Sequence, residues 1–117
     1  INKVVLCSGK FYYDLIEEYE KNTLDDIAFV RLEQLYPFPE KQLKSIVKKY
    51  GENSHFFWAQ EEPENMGPWS YILRKWKLSN IICFSRNESG SPASGSPKVH
   101  EIRHQEIINK VMSYSKK

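Results

Sequence analysis

The sequence predicts an α/β protein with a mainly parallel sheet that is covered by helices on both faces. Four short apolar runs without polar alternation are typical of strands buried on both faces; they span residues 4–7, 27–30, 55–59 and 81–84. A segment with apolar residues at helical spacing follows each run. Strands that alternate with helices imply right-handed crossovers and therefore a three-layer α/β/α architecture.

Length and composition limit the classes of protein to consider. The 117 residues are enough for one domain, which we expect to span 1–117. A net charge of +2 is too small to indicate nucleic acid or an anionic membrane surface as a partner. No apolar run is long enough to span a membrane. The chain begins with Ile1 and enters a strand almost at once, which suggests a domain cut from a longer polypeptide.

The two cysteines are predicted to be reduced core residues. Cys7 and Cys83 both lie inside apolar runs, where a free thiol packs as a small hydrophobic side chain. A disulfide between them is the less favoured alternative. Two cysteines and three scattered histidines do not form a zinc-binding pattern, so we expect no metal site.

Two of the predicted helices lie in the first half of the chain. The first spans residues 10–20, with Asn22 as a plausible stop, and the second spans 40–50 and is stopped by Gly51. Between them, Pro37 and Pro39 force extended backbone and make the connection stiff. Pro39 also suits the first turn of the second helix.

The third apolar run organises the second half. It spans residues 55–59, meets three acidic or amide side chains at residues 60–62 and stops at Pro63, so that a buried strand is predicted to end in carboxylates. A helix is predicted over 69–76, with Trp69, Ile72, Leu73 and Trp76 as its apolar stripe. Residues 85–97 are rich in Ser, Gly and Pro and predict a loop, and a last helix is expected over 99–114.

The economical strand order places the first and third strands side by side in the middle of the sheet. Their carboxyl ends, residues 8–10 and 60–62, would then flank a crevice at the point where the strand order reverses. Open α/β sheets usually place their working surface there.

Each candidate site in the sequence has a plainer alternative. Glu61 and Glu62 could form an acid–base pair, but consecutive residues of extended backbone point to opposite sides, so helix-capping, salt-bridging or interface roles are favoured. The turn at residues 8–10 precedes a helix but lacks the glycine spacing of a nucleotide-binding loop, and a plain turn is favoured. Residues 89–98 precede a helix and have cationic neighbours that suit a phosphate; composition alone slightly favours a surface loop. Those cations are Arg86, Lys98, His100 and Arg103.

Two classes of function remain open on this reasoning. One is a stand-alone module that binds a small ligand such as a nucleotide. The other is a structural or regulatory domain of a larger enzyme, which is favoured because no catalytic constellation can be assembled by spacing alone. Aromatic residues make up 14% of the chain, a composition common at interfaces, although an aromatic core explains it equally well.

Several runs carry a family resemblance. The segments 4–15 (VVLCSGKFYYDL), 31–43 (RLEQLYPFPEKQL) and 57–69 (FWAQEEPENMGPW) closely resemble the C-terminal part of the thiamine-diphosphate-dependent 2-oxoglutarate dehydrogenase component. The segment 91–108 (SPASGSPKVHEIRHQEII) resembles the final part of the same family. These runs occur in the same order as in the family and cover nearly the whole chain.

The resemblance implies a transketolase C-terminal-like domain, in which an additional antiparallel strand precedes the first parallel one. It implies a parent oxidoreductase that decarboxylates 2-oxoglutarate and passes the succinyl group to the lipoyl domain of its succinyltransferase partner, a tricarboxylic acid cycle step of a multienzyme complex. Thiamine diphosphate and magnesium would be held by other domains, so we expect no catalytic or cofactor-binding residue here and an inactive isolated chain. The location would be cytoplasmic in a bacterium or the mitochondrial matrix in a eukaryote.

The resemblance also changes how two candidate sites are interpreted. In the family this domain packs on the pyrimidine-binding domain and helps to build a homodimer, which implies a set of interface residues: Gln60, Glu61, Glu62, Asn65 and Trp69. It borders sites for AMP or acetyl-CoA effectors in some members. The residues that would contact an effector phosphate are Arg86, Ser94, Ser96 and Lys98.

Overall fold

A computed structural model describes residues 2–21, 26–51, 53–86 and 105–112. Within these ranges four strands alternate with helices, as predicted. The strands are β1 (Lys3–Ser8), β2 (Ile27–Leu32), β3 (His55–Pro63) and β4 (Ile81–Arg86). The helices are α1 (Phe11–Lys21), α2 (Glu40–Tyr50), α3 (Trp69–Lys75) and α4 (residues 105–112).

The four strands form one parallel sheet in the order β2-β1-β3-β4. The predicted placement of the first and third strands in the middle is therefore confirmed. Val5 of β1 is in register with Phe29 of β2 on one side and with Phe57 of β3 on the other. The carboxyl ends of β1 and β3 thus meet at the same edge of the sheet.

One face of the sheet packs against α1 and α4. Alternate residues of the central strands point to this side, since successive side chains of a strand face opposite ways. The Phe57 and Phe84 rings stack here with centroids 4.8 Å apart. Full burial of one such side chain contributes about 1.5–3 kcal/mol. The core residues of this face are Val5, Cys7, Phe11, Leu15, Ile27, Phe57, Ala59, Phe84, Ile107, Ile108 and Val111.

The opposite face packs against α2 and α3. Its core residues are Val4, Leu6, Leu32, Leu43, Phe56, Trp58, Trp69, Ile72 and Trp76. The chain moves from β1 to β2 in one direction and from β2 to β3 and β4 in the other. Crossovers of constant hand must then place α1 on one face and both α2 and α3 on the other, as observed.

Most boundaries agree with the sequence prediction. The second helix has the predicted span, and Gly51 ends it at φ 78° with its N–H bonded to the Val47 carbonyl at 3.0 Å. Pro39 is the N-cap of α2. The Tyr36–Pro37 peptide bond before it is cis.

The third strand ends at Pro63, as its acidic carboxyl end and the proline predicted, and its pairing with β4 resumes at Pro63 and Arg86 after a register shift. One prediction about the helix that follows was wrong. Leu73 does not belong to the buried stripe of α3, since it is 50% exposed. Successive residues of a helix are about 100° apart around its axis. Leu73 therefore points roughly 70° away from the mean direction of Trp69, Ile72 and Trp76.

Lys3 joins the two ends of the described chain. Its ammonium donates to the Val111 carbonyl of α4 at 3.4 Å, and the residue is buried at the start of β1. Burial lowers the pKa of Lys3, while the nearby Asp26 carboxylate acts in the opposite direction.

Both cysteines are free thiols, as predicted, and Cys7 is buried whereas Cys83 is half-buried. Within the described ranges, no helix combines the length and the apolar character that crossing a bilayer requires. The predicted stop at Asn22, most of the loop over 85–97 and the start of the last helix lie outside the described residues.

Candidate functional site

The carboxyl ends of β1 and β3 flank a cavity of about 200 Å³. It lies where it was predicted, at the point between β1 and β3 where the strand order reverses. The turn after β1 contributes Ser8, Gly9 and Lys10, and the end of β3 contributes Gln60, Glu61 and Glu62. The cavity therefore has a cationic side and an acidic side.

The turn after β1 is short because a glycine allows it. Gly9 has φ 67°, a left-handed conformation that side chains other than glycine rarely adopt. Helix α1 begins two residues later at Phe11, whose side chain is buried in the core. The turn therefore joins β1 to α1 within two residues, Gly9 and Lys10.

Residues 61–68, the end of β3 and the turn that leads to α3, form what we call the acidic tip. Glu61, Glu62 and Glu64 supply its charge. Glu61 is half-buried and Glu62 is exposed, although both line the cavity. Asn65 is exposed as well. Three of the five predicted interface residues, namely Glu61, Glu62 and Asn65, therefore reach the surface of the domain.

The other two predicted interface residues lie inside the domain. Gln60 is 3% exposed and Trp69 is 7% exposed. The Gln60 Oε1 atom accepts hydrogen bonds from the Trp58 indole Nε1–H and the Trp69 backbone N–H, each at 2.9 Å. Both residues therefore support the acidic tip from within.

A second glycine shapes the acidic tip. Gly67 has φ 69°, and a Cβ atom built on it would lie 2.5 Å from Oε2 of Glu62. Glycine is thus favoured here for two reasons, its backbone conformation and the side chain that packs over it.

Arg86 is the one predicted effector contact within the described part of the chain. It is the last residue of β4, and its backbone pairs with Pro63 at the start of the turn in the acidic tip. Ser94, Ser96 and Lys98 lie outside the described residues.

The chemistry available at this edge of the sheet is limited. In the described part of the chain, no three His, Cys, Asp or Glu side chains are grouped so that they could hold a metal ion. Burial raises the pKa of the Cys7 thiol to about 12 and that of the Cys83 thiol to about 11. Both thiols are therefore protonated at neutral pH and are poor nucleophiles.

Sequence reasoning missed an aromatic cluster beside α3. The ring centroids of Tyr36 and Tyr71 lie 4.3 Å apart, and the Tyr71 hydroxyl donates to the Leu35 carbonyl at 3.0 Å. The Arg74 guanidinium lies 5.8 Å from the Tyr71 ring centroid. The high aromatic content was the only signal for this cluster, and it did not indicate which rings would meet.

Fold and site together define an α/β/α domain with a parallel sheet and a polar crevice at its switch point. The sequence matches the model of the family described as 2-oxoglutarate dehydrogenase C-terminal over residues 1–112. The chain belongs to this family, which confirms the resemblance seen in its motifs.

Curated relatives agree with the family match. The chain is 46% identical over 116 residues to a 2-oxoglutarate dehydrogenase E1 component of Rickettsia conorii, covering 92% of this chain and 12% of that protein. It is 43% identical over 120 residues to the E1 component of Rickettsia felis, covering 96% of this chain and 12% of that protein. The chain thus spans about an eighth of the length of these relatives.

Proposed function

We propose that this chain serves as the C-terminal structural domain of a 2-oxoglutarate dehydrogenase E1 component. That enzyme would decarboxylate 2-oxoglutarate with thiamine diphosphate and magnesium and transfer the succinyl group to the lipoyl domain of a succinyltransferase. The observation that supports this proposal is the family match over residues 1–112. It favours a domain of a larger enzyme over a stand-alone nucleotide-binding module.

The described residues do not fit the cofactor themselves. In the described ranges no three His, Cys, Asp or Glu side chains are grouped so that they could hold a metal ion. The crevice presents two carboxylates, Glu61 and Glu62, against the single ammonium of Lys10, so its net negative charge does not favour a diphosphate. The family resemblance implies that other domains of the E1 chain hold the cofactor, and we assign no catalytic step to this domain.

The role of this domain would be to contact the pyrimidine-binding domain and to support the homodimer. Glu61, Glu62 and Asn65 would make that contact, because they are the predicted interface residues that reach the surface. A regulatory role would involve Arg86, Ser94, Ser96 and Lys98, whose cations and hydroxyls suit the phosphate of AMP or acetyl-CoA. The bacterial origin of the relatives supports a cytoplasmic location.

Charge reversal in the full-length E1 polypeptide tests this proposal. We expect Glu61→Lys with Glu62→Lys to weaken the dimer and lower decarboxylation at least about tenfold, since like charges at an interface cost several kcal/mol. Glu20→Lys is the control, because Glu20 is exposed on α1 and far along the chain from the acidic tip. Sedimentation and 2-oxoglutarate decarboxylation are the measurements. Unchanged dimer and activity in the double variant would contradict the proposal.

A further inference from the structure

We propose that Gln60 is a positioning residue: its buried side-chain amide fixes the acidic tip to the start of α3. The consequence for an interface rests on the proposed function, whereas the positioning itself depends only on contacts within this chain. The side chain is almost completely buried, at 3% exposure, yet it lies between a strand and a turn rather than in an apolar core. A buried amide is costly unless all its polar atoms are paired.

The oxygen of Gln60 joins β3 to α3. It accepts one hydrogen bond from the Trp58 indole and one from the Trp69 backbone N–H. The Trp69 N–H belongs to the first turn of α3, where backbone donors have no partner within the helix. The N-cap residue Pro68 makes no side-chain cap hydrogen bond. Gln60 therefore caps this helix from a neighbouring strand.

The nitrogen of Gln60 holds the turn. Its Nε2 donates to the Pro63 carbonyl at 2.8 Å and to the Met66 carbonyl at 2.7 Å, with the Glu62 carbonyl at 3.3 Å. The N–H donors of Trp58 and Trp69 lie on one side of the amide, and the carbonyl oxygens of Pro63 and Met66 lie on the other. Only one orientation of the Gln60 amide satisfies both sets. One side chain thus connects both ends of the acidic tip.

An isosteric substitution removes only the donors. Gln60→Glu keeps the shape and the accepting oxygen but turns a second oxygen toward the carbonyls of Pro63 and Met66, which repels them. Burial and these carbonyls raise the pKa of the introduced carboxyl above its ordinary value of about 4.3. The protonated form regains one O–H donor. The defect is therefore smallest below about pH 4.3 and grows as pH rises through the raised pKa.

The charged groups that line the cavity beside residue 60 are the same in wild type and in Gln60→Glu. Lys10, Glu61 and Glu62 line the cavity together with Gln60. Helix α3 presents Trp69 and Ile72 to this face, and neither titrates. A pH dependence that appears only in Gln60→Glu therefore belongs to the introduced carboxyl.

Hydrogen exchange measured by mass spectrometry on the full-length E1 polypeptide tests the inference. At pH 8 we expect amides of residues 61–69 to exchange at least about tenfold faster in Gln60→Glu than in wild type, with β1 and β2 unchanged. The ratio to wild type should fall toward one at pH 5. Gln42→Glu is the matched control, because it makes the same chemical change at an exposed position of α2.

Two results would overturn the inference. One is an unchanged exchange rate of residues 61–69 in Gln60→Glu at both pH values. The other is faster exchange of β1 and β2 to the same extent as the acidic tip, because that would show a general loss of stability. Decarboxylation by the same variant separates the two proposals. Faster exchange of the tip with full activity supports the positioning role and contradicts the proposed interface function.

Discussion

The Glu62 carboxylate lies directly over Gly67, so that a Cβ atom at residue 67 would be 2.5 Å from Oε2 and 2.9 Å from Cδ of Glu62. These two residues stand on opposite arms of the turn in the acidic tip. The Glu62 side chain thus covers the turn from outside, whereas Gln60 holds it from inside.

Gly67→Ala should lower the free energy of unfolding of the chain by about 1–3 kcal/mol. An alanine at positive φ costs roughly 1–2 kcal/mol, and the Cβ atom of Glu62, 3.1 Å from the built Cβ, leaves the added methyl group little room. Gly9→Ala is the matched control, because Gly9 has nearly the same φ but no atom within 4 Å of the built Cβ. Urea unfolding of both variants measures the difference. A smaller loss for Gly67→Ala than for Gly9→Ala would contradict the contact with Glu62.

The two thiols should react slowly and in a fixed order. With a pKa of about 11, about one Cys83 side chain in a thousand is a thiolate at pH 8, and Cys7, with a pKa of about 12, has fewer still. We expect a thiol reagent to label Cys83 first, because it is only half-buried. The rate should rise about tenfold per pH unit from pH 8 to pH 10.

The same pKa values predict how stability depends on pH. A folded-state pKa raised above the ordinary value of 9.0 means that the stabilisation is complete below pH 9 and is lost as pH rises through 11 to 12.

The order of labelling can be checked with a variant: Cys83→Ser should remove the faster labelling phase and leave the slower one. Equal labelling rates of both cysteines in the native chain would contradict their different burial.

The effector hypothesis predicts a weaker ligand complex in Lys98→Ala. Loss of one charge-assisted contact to a phosphate should raise the Kd for AMP or acetyl-CoA about tenfold, which corresponds to about 1.4 kcal/mol. Titration calorimetry on the full-length enzyme measures the change. Lys110→Ala serves as the control, since Lys110 is exposed on α4. Equal affinity in wild type and Lys98→Ala would discard this site.

Sequence patterns predicted the parts of the fold that local physics determines. The apolar runs gave β1 and β4 to within two residues at each end, and α2 was predicted from Glu40 to Tyr50 because its apolar spacing is regular and Gly51 follows it. Strand order could also be predicted, since right-handed crossovers leave few arrangements.

The parts that depend on distant contacts could not be predicted. The register shift between β3 and β4, which separates the pair Ala59–Phe84 from the pair Pro63–Arg86, has no local signal in the sequence. The inward position of Gln60 requires Trp58, Trp69 and the turn carbonyls to meet in space. A sequence shows an amide between an apolar strand and a turn, but it does not show whether that amide faces the interior or the solvent.

The position of α4 has a consequence for how the chain folds as it is synthesised. Ile107, Ile108 and Val111 complete the core against β1 and β3, and Lys3 reaches the Val111 carbonyl across 108 positions of sequence. Until α4 leaves the ribosome, the apolar residues of β1 and β3 on this face lack the cover that these three side chains provide. The nascent domain is thus exposed to aggregation until α4 docks, and chaperone binding should concentrate in that interval.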